Sequence, residues 1–244
     1  MSQTASSSSA DHCPPPQSPV DIRPQDTDCS ALPPLRFRHP TRLDMELHYE
    51  GPEHHCPGCT RDNEGTVKAV PARGESGESG EKCLLSVGDD TYRLVDVHWH
   101  TPSEHTVGGV AFPLEQHMKY RREVAQGKFE YTVVAVLVHP GQANDSLDQL
   151  LSSARQAEDP EGSWEVPDVQ LDTLLPSCTE SHRYLGSTTV CPYTPGVRWN
   201  VLTHPVQASA AALEHYREVF PKGNALEAQP LGDRRIVSDR HRWW

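Results

Sequence analysis

Two strand-like runs on either side of a Gly-Gly pair constrain this chain most: YRLVDVHWH, residues 92–100, and PLEQHMKY, residues 113–120, with Gly108-Gly109 between them. Side chains alternate between the faces of a strand, so Leu94, Asp96, His98 and His100 share one side while Arg93, Val95, Val97 and Trp99 take the other. The second set is largely apolar; the first carries two imidazoles. A histidine pair at i, i+2 points two nitrogens to one side, within reach of one metal ion, and a third ligand then comes from a neighbouring strand. His117 is the candidate, in a run where Glu115, His117 and Lys119 share a face, and Gly108-Gly109 is a turn signal. Three neutral imidazoles hold zinc tetrahedrally and leave the fourth position to water, the pattern of a catalytic rather than a structural site. In a chain with 14 histidines an isolated H-x-H says little, so the surroundings decide.

At 244 residues the chain is long enough for one large core, and nothing in it calls for a second domain. A net charge of −12 and an isoelectric point near 5.5 argue against a nucleic-acid or anionic-membrane surface. No apolar run approaches the roughly 18 residues of a membrane helix, and MSQTASSSSADH lacks the apolar centre of a secretory signal. Cysteines stand at positions 13, 29, 56, 59, 83, 178 and 191, an odd count that leaves at least one unpaired within a monomer.

Taken in order, residues 1–12 read as a disordered Ser-rich tail, and the folded domain is expected over residues 13–240. LDMELHYE from Leu43 alternates as a strand. Between residues 51 and 82, His54-His55-Cys56-Pro57-Gly58-Cys59 has C-x-x-C spacing, but no second such pair completes a structural zinc site, so a loop disulfide or free thiols are expected. The Gly-Glu-Ser-Gly repeat at 74–80 reads as a flexible turn. YTVVAVLV, residues 131–138, predicts a strand buried on both faces. Leu147, Leu150, Leu151 and Ala154 fall at i, i+3, i+4, i+7 and predict a helix over 145–157, and Leu213, Tyr216 and Phe220 predict another over 209–220. Many strands, few helices and abundant Pro and Gly make a mainly β, mostly antiparallel architecture.

HWHTPSEHTVGGVAFPLEQH, residues 98–117, resembles the zinc segment of the α-class carbonic anhydrases in their shorter-loop bacterial and algal form. QSPVDI at 17–22 resembles the family's QSPIDI, YLGSTTVCPYTPGVRWNVL from Tyr184 its Y-x-G-S-L-T-T-P-P-C-x-E-x-V-x-W segment, and NALEAQPLGDRRI at 224–236 its closing N-x-R-P-x-Q-P-L-x-x-R-x-I. The resemblance implies a large twisted central sheet with short peripheral helices and a Zn2+ ion at the bottom of a cone set into that sheet. It implies reversible hydration of carbon dioxide to bicarbonate and a proton through zinc-bound hydroxide. The water pKa of about 7 on which this depends is a property already known for this family.

Residue by residue, the resemblance makes His98, His100 and His117 the ligands. Glu115 becomes the carboxylate partner of the third histidine, and Asn224 the residue whose carbonyl serves the second. Asp96 stands where the family has glutamine, and its charge would make the zinc a weaker Lewis acid. Without a gap Thr189 is the hydroxyl that faces the buried Glu104; with one gap Thr188 takes that role. His105 beside Glu104 matches as well, and with Thr189 and Glu104 it makes up the catalytic set that the resemblance implies. Val133, Val197 and Trp199 match apolar walls of the substrate pocket. Lys119 replaces an apolar residue there, and would either lower the pKa of the zinc water or obstruct the substrate. Asn63-Glu64-Gly65-Thr66 lacks the histidine with which the family's N-x-G-H element exports protons, leaving His54 and His55 as the nearby substitutes, so turnover limited by proton export is expected. Cys13 and Cys191 resemble the pair joined in extracellular members, although Cys191 sits at the family's first proline and Tyr193 at its cysteine. A secreted, periplasmic or extracellular location follows from family and cysteine content. The same likeness admits a binding module that keeps the fold without useful catalysis, and an ester hydrolase.

Overall fold

The computed structural model describes residues 17–51, 65–72, 83–157 and 162–239. In chain order the strands are β1 (Asp21–Ile22), β2 (Thr27–Cys29), β3 (Leu35–Arg38), β4 (Leu43–Glu50), β5 (Thr66–Pro71), β6 (Leu84–Val87), β7 (Asp90–His100), β8 (Thr106–Val107), β9 (Val110–Ala111), β10 (Leu114–Ala125) and β11 (Lys128–Pro140). After helix α1 (Asp145–Ser153) come β12 (Trp164–Val169), β13 (Ser181–Ser187), β14 (Pro195–Leu202) and β15 (Val206–Ala208), then helix α2 (Ala210–Val219) and β16 (Ile236–Ser238). One large sheet runs β12-β4-β5-β7-β10-β11-β14-β13-β16-β2, with β3, β6 and β15 attached beside it. Its pairings are antiparallel except β11–β14, β11–β15 and β16–β2.

Strand β11 shows how the sheet divides the interior. Val134, Val136 and Val138 enter a large core with Trp99, Met118, Leu150 and Tyr216, while Val133 and Ala135 enter a smaller core with Val197, Trp199 and Val201. Period-two alternation in a strand with apolar cover on both sides gives the continuous apolar run seen in the sequence. The helices close the outer face of the larger core. Asn144 caps α1 by accepting from Leu147 N at 3.2 Å, and Ser209 caps α2 by accepting from Ala212 N at 3.1 Å. Strands β8 and β9 form a hairpin whose turn, Gly108-Gly109, takes φ of 60° and 82°, values glycine adopts without penalty.

One expectation from alternation is corrected. Leu94 does not share a face with Asp96 and the histidines; it lies in the larger core with Tyr92, Val97 and Trp99. The register of β7 against β10 slips between Lys119 and Tyr120, which oppose Asp96 and Leu94, so Val95 is an extra residue. A bulge resets the alternation, and the residues before it swap faces. Below the bulge β7 anchors the core; above it the strand presents Asp96, His98 and His100 to the other side.

Among the described residues Cys29, Cys83 and Cys178 are free thiols. The pairing of Cys13 with Cys191 involves Cys13, which lies outside the described residues. So do the first dozen residues, both limits set for the domain, and residues 54–59 and 74–80.

Candidate metal centre

The antiparallel ladder of β7 and β10 sets His117 opposite His98, Glu115 opposite His100 and Lys119 opposite Asp96. Directly opposed residues share a face at close range, which turns two histidines on one strand and one on its neighbour into a cluster. The ring centroids lie 5.3 Å (His98–His100), 5.1 Å (His98–His117) and 4.8 Å (His100–His117) apart.

Each imidazole has one nitrogen committed to an acceptor. His98 Nδ1 is 2.6 Å from Asp96 Oδ1, His100 Nδ1 is 3.1 Å from the Asn224 carbonyl oxygen, and His117 Nε2 is 2.8 Å from Glu115 Oε1. Those acceptors call for a proton on the nitrogens they face. The remaining nitrogens, Nε2 of His98 and His100 and Nδ1 of His117, therefore carry lone pairs. His98 Nε2 and His117 Nδ1 stand 3.3 Å apart, and His100 Nε2 is buried with no hydrogen-bond partner. Ligand nitrogens about 2.0–2.1 Å from a tetrahedral zinc are about 3.3 Å from each other, so the trio fits that ion. Burial depresses the His98 pKa to about 4 despite the opposing pull of Asp96. Burial likewise puts His100 well below its ordinary value, with His117 and His98 adding to the effect. Both rings are then neutral at pH 7, the ligand form.

Behind the trio lies a buried chain of polar groups. Glu115 Oε1 also meets His105 Nδ1 at 2.6 Å, and its Oε2 accepts from the His105 backbone N–H at 2.7 Å. Burial raises the Glu115 pKa, but His105 and His117 override it and hold the carboxyl well below its usual range. His105 Nε2 is 2.7 Å from the Tyr184 hydroxyl, which donates to Ser18 Oγ at 2.9 Å. Expected in the catalytic set, His105 is instead joined to His117 by hydrogen bonds through Glu115. Tyr184 and Ser18 sit inside two of the motifs read from the sequence, yet composition and spacing give no sign that they join this chain.

Glu104 is 2% exposed, its Oε1 accepting from Leu226 N at 3.0 Å and its Oε2 without a hydrogen bond. Burial, and then the charge of Glu115, push its pKa well above the ordinary value; the Leu226 amide and the Thr189 hydroxyl pull the other way. The Thr188 hydroxyl is spent in its own turn, donating to Val190 O at 3.0 Å and accepting from Thr194 N at 2.9 Å.

Val133, Val197 and Trp199 stand together in the smaller core, and the Trp199 ring packs 4.9 Å from both His105 and His117. Lys119 Nζ lies 5.2 Å over the Tyr131 ring. Lys68, set opposite His98 by the β5–β7 ladder, is a residue the sequence reading missed; its place in TVKAV was the available signal. Burial works to raise the Asp96 pKa, but His98, and after it Lys68 and Lys119, keep the carboxyl below its ordinary value. Lys68 Nζ is itself ion-paired with Glu50, and the hydrogen-bonded partner of Asp96 is His98. Thr66, where a rim histidine would stand, is 3% exposed and donates to the Trp99 carbonyl at 3.0 Å.

A large sheet with three converging lone-pair imidazoles defines the class of proteins with a three-histidine metal site. The family model described as eukaryotic-type carbonic anhydrase matches residues 6–240. A carbonic anhydrase of Pectobacterium atrosepticum is 36% identical over 163 residues, 65% of this chain and 62% of that protein. Alpha carbonic anhydrase 4 of Arabidopsis thaliana is 29% identical over 174 residues, 70% of this chain and 60% of that protein. The chain thus spans about six-tenths of the length of these curated relatives. Among solved structures, the Photobacterium profundum α-carbonic anhydrase has a TM-score of 0.72 at 30% identity, covering 91% of this chain and 88% of that one. The Thermovibrio ammonificans enzyme, solved with the inhibitor sulfanilamide, gives 0.73 at 27% identity, covering 91% and 86%. The chain belongs to the eukaryotic-type carbonic anhydrase family.

Proposed function

We propose that this chain hydrates carbon dioxide reversibly to bicarbonate and a proton, with zinc held by His98, His100 and His117. The observation that carries this is the buried, partnerless His100 Nε2 facing the same point as the lone pairs of the other two rings. When bound, zinc supplies a Lewis acid that brings the pKa of its water to about 7, a figure this family itself provides. Asp96, the Asn224 carbonyl and Glu115 fix the tautomers and aim the rings. Thr189, backed by Glu104, is the group that holds the proton of the attacking oxygen, leaving a lone pair for the substrate. Val133, Val197 and Trp199 offer the apolar surface an uncharged, weakly hydrogen-bonding substrate needs. We assign the Cys13–Cys191 pairing, and with it an oxidising compartment, to the same proposal.

The proposal is tested by stopped-flow carbon dioxide hydration on protein stripped with a chelator and then reconstituted with zinc. Turnover lost on stripping and restored by zinc is the expected result. No turnover with zinc bound points instead to a binding module that keeps the fold. With Thr66 turned inward, no side chain at that position carries protons to solvent, and proton export limits the rate. Raising imidazole buffer at constant pH is then expected to increase turnover several-fold; a rate indifferent to buffer means another group exports the proton.

A further inference from the structure

We propose that Cys178, Glu180 and His204 form a second metal site, for a thiophilic divalent cation such as zinc, sharing no residue with the three-histidine centre. One ligand atom from each, sulfur, carboxylate oxygen and ring nitrogen, lies within 4.8 Å of the others. The fold holds two of these residues in place. Ser181 opposes Leu202 in the β13–β14 ladder, and just past its end the Glu180 carbonyl accepts from Thr203 N at 2.9 Å and from Thr203 Oγ1 at 3.3 Å. His204 follows directly, and its Nδ1 is tied to the same Thr203 Oγ1 at 3.0 Å. A hydroxyl that donates to the Glu180 carbonyl keeps a lone pair for the ring N–H, which anchors the imidazole in the way outer partners of metal-bound histidines do.

The donor set selects the cation. A thiolate, an imidazole and a carboxylate together suit zinc, whereas magnesium and calcium take oxygen. Tetrahedral ligands stand about 3.3–3.8 Å apart, so the three atoms need to close only slightly on an ion, a movement the half-buried Cys178 side chain makes while Thr203 Oγ1 holds the exposed His204 ring. Binding converts the Cys178 thiol to thiolate and releases its proton to solvent. Three protein ligands leave a position for water, and the ion would clip the approach to β13 onto the exit of β14. Cys83 is no rival: it is fully buried, and burial pushes its pKa up to about 11.

Cobalt(II) titration of the reduced full-length chain tests this, with Cys56→Ser and Cys59→Ser in every sample including the reference, because the C-x-x-C thiols would also give the near-ultraviolet charge-transfer band that a thiolate ligand adds and three imidazoles cannot. The reference is expected to bind two equivalents with that band. Cys178→Ser should bind one, without the band, and keep its zinc-dependent carbon dioxide hydration. His204→Ala, an exposed change that leaves the thiol in place, should weaken the band-forming site roughly tenfold or more. One equivalent in the reference, a band undiminished in Cys178→Ser, or an affinity unchanged in His204→Ala would each overturn the proposal.

Discussion

His117→Ala is expected to lose zinc retention and to lower carbon dioxide hydration by at least about a thousandfold, because water without the metal's acidifying effect supplies almost no hydroxide at neutral pH. His117 is the one ligand from β10. Its Nδ1 stands 3.3 Å from His98 Nε2, and removing it leaves two nitrogens of a single strand, too few to hold the ion against water or a chelator. The fold should survive, since the residues flanking His117 stay in the β7–β10 ladder and Glu115 keeps both bonds to His105. Metal content by mass spectrometry, circular dichroism and stopped-flow rate on one preparation check all three expectations. A variant that keeps one tightly bound zinc and turns over normally contradicts the ligand assignment.

Glu115→Ala is expected to damage stability and metal binding together. The Glu115 carboxylate is fully buried and meets His117 Nε2, His105 Nδ1 and the His105 amide. Its removal leaves these three groups facing a void, and breaking a buried charged pair in this way costs about 3–5 kcal/mol. For a domain of this size that corresponds to a fall of roughly 10 °C in the midpoint of thermal unfolding. Losing the acceptor that orients His117 should also weaken zinc binding roughly 10- to 100-fold. Glu115→Gln keeps the volume and one acceptor oxygen, so it should recover most of the stability and little of the affinity. If the alanine variant melts like the wild type, the buried chain from His117 to Ser18 is not the support described here.

What the sequence revealed follows from how local each constraint is. Alternation along residues 92–100 and 113–120 is a property of each strand alone, so the shared face of Asp96, His98 and His100 was readable, as were Glu115, His117 and Lys119. Helices α1 and α2 were readable from their spacing for the same reason. Leu94 was misplaced because a bulge belongs to a pair of strands, and nothing in YRLVDVHWH marks Val95 as its extra residue. Lys68 was missed because it comes to the site only through the pairing of β5 with β7, which sets it opposite His98. The route from His105 through Tyr184 to Ser18 joins segments 79 and then 166 residues apart, a juxtaposition that only the closed fold creates. Asn224 and Thr189 were reached through family likeness, which left Thr188 as an alternative, and that the Thr188 hydroxyl is occupied in its own turn is a matter of local geometry no spacing reveals.

Zinc-edge X-ray absorption on the chain loaded with a single equivalent reads which side chains hold the metal. The expected spectrum has three imidazole nitrogens about 2.0–2.1 Å from the metal, one further light atom, and no sulfur. A sulfur shell near about 2.3 Å, or fewer than three imidazoles, would contradict the assignment of His98, His100 and His117 as the centre that this sheet is built to hold.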